Sequence, residues 1–209
     1  MSGGDHYFSR FPDAKLKIFT VSESLRKHLY LFKTVTGIFS YNKLDLGTKI
    51  LIEHMTIPSE PSYLLDLGCG YGPIGIVLGY ESPESIIYMI DINSRAVWCA
   101  RQNVKLNIYN YKKRIFTING NYFDPIKFKG INFNGIYMNP PMRQGQTEFL
   151  KLFEDVDNLL KKNGFFEFVI KRKMGAEAIL LKLKKKFPDK NLEIICKRSG
   201  YWVIHLQKL

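Results

Sequence analysis

The chain has 209 residues and a formal net charge of +12 at pH 7, from 31 Lys and Arg against 19 Asp and Glu. That length suits one globular unit with an ample core, and the excess of cations favours RNA or another nucleic acid as a partner over a merely lysine-rich surface. Three scattered cysteines and the lack of a long apolar run argue against a metal site, a disulfide framework and a membrane span, so we expect a cytoplasmic protein.

Residues 1–47 predict a small β-rich extension that packs on the rest of the chain. Short alternating segments at 17–20 and 29–32 are typical of strands. The first helix is predicted at 48–57, with Thr48 as its N-terminal cap and a proline directly after it. We therefore place a domain boundary between residues 47 and 48.

From there to residue 209, apolar strands alternate with helices. Strands that alternate with helices of this length form a mainly parallel sheet covered on both faces. The sequence therefore predicts an α/β, doubly wound, seven-stranded fold whose ligands bind at the carboxyl ends of the strands. The predicted strands are 63–67, 86–90, 114–118, 133–138, 164–170, 192–196 and 201–206, and the helices are 73–80, 94–106, 148–160 and 175–187.

A glycine-rich turn follows the first of these strands. Gly68, Gly70 and Gly72 let the backbone pass close to a bound molecule, because glycine lacks a Cβ and adopts positive φ. Asp66, just before them, could offer a carboxylate to a cationic group or an ordered water. Asp91 ends the next strand, where an acidic residue commonly meets two ribose hydroxyls.

The spacing of these glycines bears on the kind of cofactor. A dinucleotide enzyme needs G-x-G-x-x-G to seat a pyrophosphate on the helix N-terminus, whereas here the glycines alternate and Pro73 removes one N–H. The pattern therefore favours a nucleoside cofactor without phosphates over a dinucleotide.

Asn139-Pro140-Pro141 follows the fourth strand of the alternation and forms a stiff turn. The side-chain oxygen of Asn139 and the carbonyl of Pro140 could accept both protons of a planar exocyclic amine and aim its lone pair at a methyl donor. Such alignment accelerates transfer without a strong base. An ordinary proline turn at a strand end is the alternative.

Together the two motifs resemble those of class I S-adenosylmethionine-dependent methyltransferases, which implies that cofactor. The resemblance implies that Asp91 holds the ribose and Ile92 contacts the adenine. Asn121, followed by Tyr122, stands where an acidic residue usually contacts the adenine amine.

The segment 139–145 is similar to the Asn-Pro-Pro-x-Arg-x-Gly motif of guanine-N2 methyltransferases of the RsmC type. Segments 37–40 and 44–48 are similar to two further segments of that family, which line its cofactor entrance. The resemblance implies cofactor contacts from Phe39, Thr48 and Asn139. Residues expected at the substrate are Phe39, Ser40, Met142, Arg143 and Lys171, the last because it follows a predicted strand on the ligand face.

The leading hypothesis is therefore methylation of the N2 amine of guanine in RNA, with rRNA favoured over tRNA. Adenine-N6 or protein glutamine methylation is the nearest alternative, although Met142 stands where those enzymes usually carry an aromatic residue. A non-catalytic RNA-binding module on the same fold is the alternative of another class. The sequence leaves a monomer and a homodimer both open.

Overall fold

The computed structural model describes residues 15–127, 129–141 and 146–209. Within these ranges a β-hairpin precedes a region in which strands and helices alternate. The elements in chain order are β1 Ile18–Leu25, β2 His28–Val35, α1 Leu46–His54, β3 Tyr63–Leu67, α2 Pro73–Glu81, β4 Ile86–Asp91, α3 Ser94–Asn107, β5 Ile115–Asn119, β6 Phe133–Met138, α4 Gln146–Leu159, β7 Leu160–Lys171, α5 Ala176–Lys186, β8 Asn191–Arg198 and β9 Tyr201–Gln207.

The main sheet has seven strands in the order β5-β4-β3-β6-β7-β9-β8. Strands β3 to β7 pair in parallel, whereas β9 runs antiparallel to both β7 and β8. This topology confirms the predicted doubly wound α/β fold. The strand order reverses at the neighbouring strands β3 and β6, because β4 and β5 lie on one side of β3 and the later strands lie on the other. Such a switch point leaves a crevice at the carboxyl ends of the strands.

Apolar side chains cover both faces of the sheet because successive residues of a strand point to opposite sides. Leu64 of β3 belongs to one buried cluster, together with residues of α1, α2 and α3. Its neighbour Leu65 belongs to the other cluster, with residues of α4 and α5. In the described part of the chain, no helix is both long enough and apolar enough to cross a membrane.

The hairpin β1–β2 forms a separate two-stranded antiparallel sheet. Its residues Tyr30 and Phe32 are fully buried in the cluster shared with α2 and α3. Asn103 of α3 binds the edge of β2 from both sides of its amide, accepting from the Lys33 N–H at 2.6 Å and donating to the Lys33 carbonyl at 2.9 Å. The division of the chain at residue 47 stays a prediction, and the cut lies within α1.

Helix α1 begins earlier than predicted, and Thr48 is not its cap. Asp45 is the N-cap, and its Oδ2 accepts a hydrogen bond from the Thr48 N–H at 2.9 Å. A carboxylate at the N-cap satisfies one of the free N–H groups of the first turn, as a threonine would. Both residues suit the position, and the prediction chose the wrong one.

Candidate functional site

A cavity of about 360 Å³ lies at the carboxyl ends of β3, β4 and β6, at the switch point of the sheet. Most of the residues predicted from the sequence line it. They are Phe39, Gly68, Gly70, Asp91, Ile92, Asn121, Tyr122, Asn139, Pro140 and Lys171.

The remaining predicted residues lie elsewhere. Ser40 and Thr48 line a smaller recess of about 40 Å³ that shares Phe39 and Asn139 with the larger cavity. Asp66 and Gly72 do not line the larger cavity. Met142 and Arg143 lie outside the described residues.

Two glycines of the turn after β3, Gly70 and Gly72, adopt positive φ in different surroundings. Gly70 has φ +57° and faces open space, so positive φ alone explains its lack of a side chain. Gly72 has φ +96°, which favours glycine, and a Cβ there would also lie 2.5 Å from the end of the flexible Met89 side chain, which would have to move.

The N–H groups of the turn are largely used within the protein. Those of Gly68 and Cys69 donate to the Ile90 carbonyl, that of Gly72 donates to the Cys69 carbonyl, and that of Gly70 donates to Asp91. Pro73 opens α2 without an N–H. A phosphate would need such donors, so the turn suits a cofactor that brings none.

Asp91 lies at the end of β4 with its carboxylate at the cavity wall. One oxygen accepts from the Gly70 N–H and the other from the Asn93 N–H, each at 2.8 Å. Burial raises the pKa of Asp91, and these two bonds oppose that shift. A carboxylate oxygen has two lone pairs. Each therefore keeps one acceptor site, an arrangement that fits a pair of adjacent hydroxyls.

The loop after β4 is held by a residue that the sequence analysis did not single out. The Asn119 amide donates to the carbonyls of Asp91 and Ile92, at 3.0 and 2.9 Å. It thereby fixes Ile92 as an apolar wall of the cavity. An asparagine at a strand end carries no sequence signal that separates it from a turn residue.

Asp66 is fully buried beneath the turn, at the end of β3. Its Oδ2 accepts from the Gly75 N–H at 2.8 Å, and its Oδ1 has no partner among the described residues. Burial raises the pKa of Asp66 to about 7, while the Gly75 bond lowers it and the nearby Asp91 raises it further. The carboxyl therefore links the end of β3 to the first turn of α2.

Asn139 follows β6, and its amide is bonded on the nitrogen side. Nδ2 donates to Asp45 Oδ2 at 2.9 Å and to Thr48 Oγ1 at 2.7 Å. Its Oδ1 has no hydrogen bond within the described residues, at a position that lines the cavity. Asp45 was missed as a site residue, although its segment had been singled out.

The mouth of the cavity combines aromatic and cationic side chains. Phe39 is 48% exposed, and its turn is held by the Asn93 side chain, which donates to the Gly37 carbonyl at 2.9 Å. Lys171 and Tyr201 also line the cavity, and Lys171 Nζ lies 5.3 Å from the centre of the Tyr201 ring. Among the described residues, no group of three or more His, Cys, Asp or Glu side chains could hold a metal ion.

The "Methyltransferase small domain" family model matches residues 30–205 of the chain. The uncharacterized protein YbxB of Bacillus subtilis is 33% identical over 206 residues, which cover 98% of this chain and 99% of YbxB. Ribosomal RNA large subunit methyltransferase G of Vibrio vulnificus is 25% identical over 189 residues, 88% of this chain. The chain spans 49% of that longer protein.

Two solved structures share the fold. The T. thermophilus 16S rRNA N2 methyltransferase RsmC, in complex with AdoMet and guanosine, has a TM-score of 0.75 at 19% identity, covering 94% of this chain and 51% of its own. M. jannaschii TYW2, in complex with AdoMet, has a TM-score of 0.61 at 19% identity, covering 93% and 87%. At these identities the likeness establishes the fold alone.

Proposed function

This chain belongs to the family of the small methyltransferase domain, and we propose that it methylates the exocyclic N2 amine of guanine in RNA with S-adenosylmethionine as donor. The observation that carries the proposal is the amide of Asn139, a residue that lines the cavity: its nitrogen is bonded, and its oxygen has no hydrogen bond within the described residues. A hydrogen-bond acceptor is what the protons of an aromatic amine require.

The cavity residues fit the cofactor. Asp91 would hold the ribose hydroxyls, Ile92 would contact the adenine, and the turn at Gly68 and Gly70 would lie against the nucleoside. Bound there, S-adenosylmethionine supplies a methyl group on a positively charged sulfur, and its transfer forms a carbon–nitrogen bond as a carbon–sulfur bond breaks, with one amine proton released.

The protein's part in this reaction is alignment. Asn139 Oδ1 and the Pro140 carbonyl would accept the two amine protons and draw the nitrogen out of conjugation with its ring. Orienting two reactants in this way accounts for several kcal/mol of barrier reduction in well-aligned systems, roughly 7–11 at the upper limit. Neither acceptor has to titrate for this role.

RNA as the substrate is supported by charge and by the relatives. The net charge is +12, and Lys171 lies at the cavity mouth with Arg172 and Lys173 directly after it. Phosphate neutralisation by such side chains supplies most of the sequence-independent affinity for nucleic acid. Ribosomal RNA is favoured because relatives named as ribosomal RNA methyltransferases match 88% of this chain.

The identity of the methylated group is tested with labelled S-adenosylmethionine and ribosomal RNA from cells that lack the protein. After digestion to nucleosides, we expect label in N2-methylguanosine. Label in N6-methyladenosine would identify the adenine amine as the methylated group, and label in a protein glutamine but not in RNA would identify the glutamine amide. Binding of RNA without any label would indicate that the protein is an RNA-binding module and not an enzyme.

The role of Asn139 is tested by Asn139→Ala. Losing the acceptor should lower turnover by about 100-fold or more, the scale seen when one preorganised hydrogen-bonding group is removed from a site. Cofactor affinity, measured by calorimetry, should change little, because Asp91 and the glycine turn remain. Asn110→Ala, which removes an exposed asparagine after α3, is the matched control. Full activity in Asn139→Ala would remove this residue from the mechanism.

A further inference from the structure

The side-chain amide of Asn139 has two faces that differ in chemistry but hardly in shape. Rotating it by half a turn exchanges a carbonyl oxygen, which accepts, for an NH2 group, which donates. The cavity wall would then present donors to an incoming amine, which needs acceptors. Whatever fixes the rotation of this amide therefore decides whether the site can align an amine at all.

Asp45 supplies the asymmetry. Its carboxylate only accepts hydrogen bonds, and its Oδ2 lies 2.9 Å from Asn139 Nδ2. A rotated amide would bring its own oxygen against that carboxylate. The same Oδ2 accepts from the Thr48 N–H at 2.9 Å, so the capping geometry of α1 holds the carboxylate in place.

Thr48 completes the arrangement. Its buried hydroxyl accepts from Asn139 Nδ2 at 2.7 Å and donates to Asp45 Oδ2 at 3.3 Å. With its proton directed to Asp45, the hydroxyl oxygen offers lone pairs to Asn139. Both protons of the Asn139 amide are then bound, and its oxygen is left as the unbonded group of a residue that lines the cavity.

We propose that Asp45 and Thr48 are positioning residues, which lock the Asn139 amide with its oxygen toward the substrate amine and thereby make the site select an NH2 group. The inference rests on the proposed amine methylation. It adds that the first turn of α1, rather than the Asn-Pro-Pro turn alone, sets the polarity of the acceptor.

A reciprocal exchange tests this coupling. Asn139→Asp places two carboxylates against each other and should lower turnover about 100-fold or more, the scale seen when a preorganised hydrogen bond is lost. Adding Asp45→Asn restores a donor facing an acceptor, because the new amide can donate to the carboxylate at 139 while its oxygen still caps α1. We expect turnover in the double variant to be at least about tenfold higher than in Asn139→Asp.

The two variants are compared at matched stability and cofactor affinity. If Asp45 served only as a helix cap or as a cofactor contact, Asp45→Asn would not rescue Asn139→Asp. Equal turnover in the single and double variants, with melting temperature and cofactor affinity unchanged, would overturn the inference. The Asp45→Asn single variant provides the fourth corner of the cycle.

A measurement without substrate separates this inference from the proposed function. The side-chain NH2 of Asn139 is identified in a ¹⁵N spectrum by its absence in Asn139→Ala, and its hydrogen exchange is followed in the free protein. Asp45→Ser keeps an oxygen that caps α1, but the shorter side chain does not reach Asn139. Thr48→Val keeps the shape of the threonine side chain and removes the hydroxyl that accepts from Asn139.

Exchange in the Asp45→Ser/Thr48→Val variant should be at least tenfold faster than in the unaltered protein. Thr117→Val on β5 serves as the control and should leave it unchanged. Equal protection in all three proteins would refute the lock. If the lock holds and no amine is methylated, the proposed function fails while the positioning stands.

Discussion

Asp66 shows at the scale of one residue how the site tolerates a buried carboxyl. Burial raises the pKa of this carboxyl from its ordinary value of 3.8 to about 7. Between these values the folded protein binds a proton that the unfolded chain has released. By linkage, this group makes the free energy of unfolding fall as pH rises from about 4 to about 7, with the full cost present above that range.

Asp66→Asn should remove this pH dependence. The difference in free energy of unfolding, variant minus unaltered protein, should increase from pH 5 to pH 7 and level off above it. Urea denaturation across that range measures it. Asp189→Asn is the control, because hydrogen bonding to Lys190 lowers the pKa of that exposed carboxyl, which stays ionised throughout. Parallel curves for Asp66→Asn and the unaltered protein would contradict the shift.

Single residues also show how far the sequence leads. Asp91 and Asn139 were predictable because each follows a strand whose apolar pattern is plain, and parallel strands bring their carboxyl ends together. Asp45 was not, since its contact with Asn139 spans 94 residues and depends on how α1 sits against the sheet. The cofactor contact predicted for Thr48 stays a prediction, and what the sequence did not indicate is the hydrogen bond of its hydroxyl to Asn139.

At the scale of elements, the end of β7 and the β8–β9 hairpin form one basic rim. The Arg172 N–H donates to the Gly200 carbonyl at 2.8 Å, which ties the two segments together. The rim carries five cations, of which Lys171 reaches the cavity. They are Lys171, Arg172, Lys173, Lys197 and Arg198. An RNA strand that delivers a base to the cavity would meet this rim.

Lys173→Glu/Arg198→Glu should weaken RNA binding without altering cofactor affinity. Removing two phosphate contacts should also reduce the slope of log affinity against log salt by about 1 to 2. Fluorescence anisotropy with a labelled ribosomal RNA fragment measures both. Lys112→Glu/Lys113→Glu, an exposed pair before β5 at the amino ends of the strands, makes the same charge change away from the cavity. Equal losses of RNA affinity in the two double variants would show that only the total charge matters and that the basic rim is not the RNA-binding surface.

The periodicity of apolar residues predicted which helices and strands form, but it did not predict where they begin and end. The predicted strand at 164–170 extends to Leu160–Lys171 because Leu160 pairs with Phe133 across a register shift. That pairing is a tertiary event, which a local apolar pattern cannot report. Helix starts depend on which of two good capping residues meets the right neighbour, as Asp45 and Thr48 show.

For the whole molecule, the question is whether the N-terminal hairpin is an appendage or part of the fold. Its strands form their own sheet, which the sequence predicted as a β-rich extension. What local pattern could not give is the depth of its packing. Phe32 is fully buried, with its ring centre 5.5 Å from that of Tyr71 beside the glycine turn. A hairpin joined in this way should unfold with the sheet.

Phe32→Ala tests this. Removing a buried phenylalanine costs roughly 3–5 kcal/mol, and if hairpin and sheet are one cooperative unit, the whole protein should lose that stability. Both tryptophans, Trp98 in α3 and Trp202 in β9, lie outside the hairpin, so their fluorescence reports the main fold. We expect the urea transition seen by fluorescence to move to lower urea by the full amount and to coincide with that seen by circular dichroism.

Leu29→Ala is the matched control on the same hairpin. Leu29 is 61% exposed, so its loss should change the free energy of unfolding by only about 0.5 kcal/mol or less. A fluorescence transition that stays in place in Phe32→Ala, while circular dichroism shows an earlier loss of strand, would mean that the hairpin melts alone. The division at residue 47 would then mark a separable unit. A single shifted transition instead makes the hairpin, the turn that carries Phe39 and the cavity wall parts of one cooperative structure.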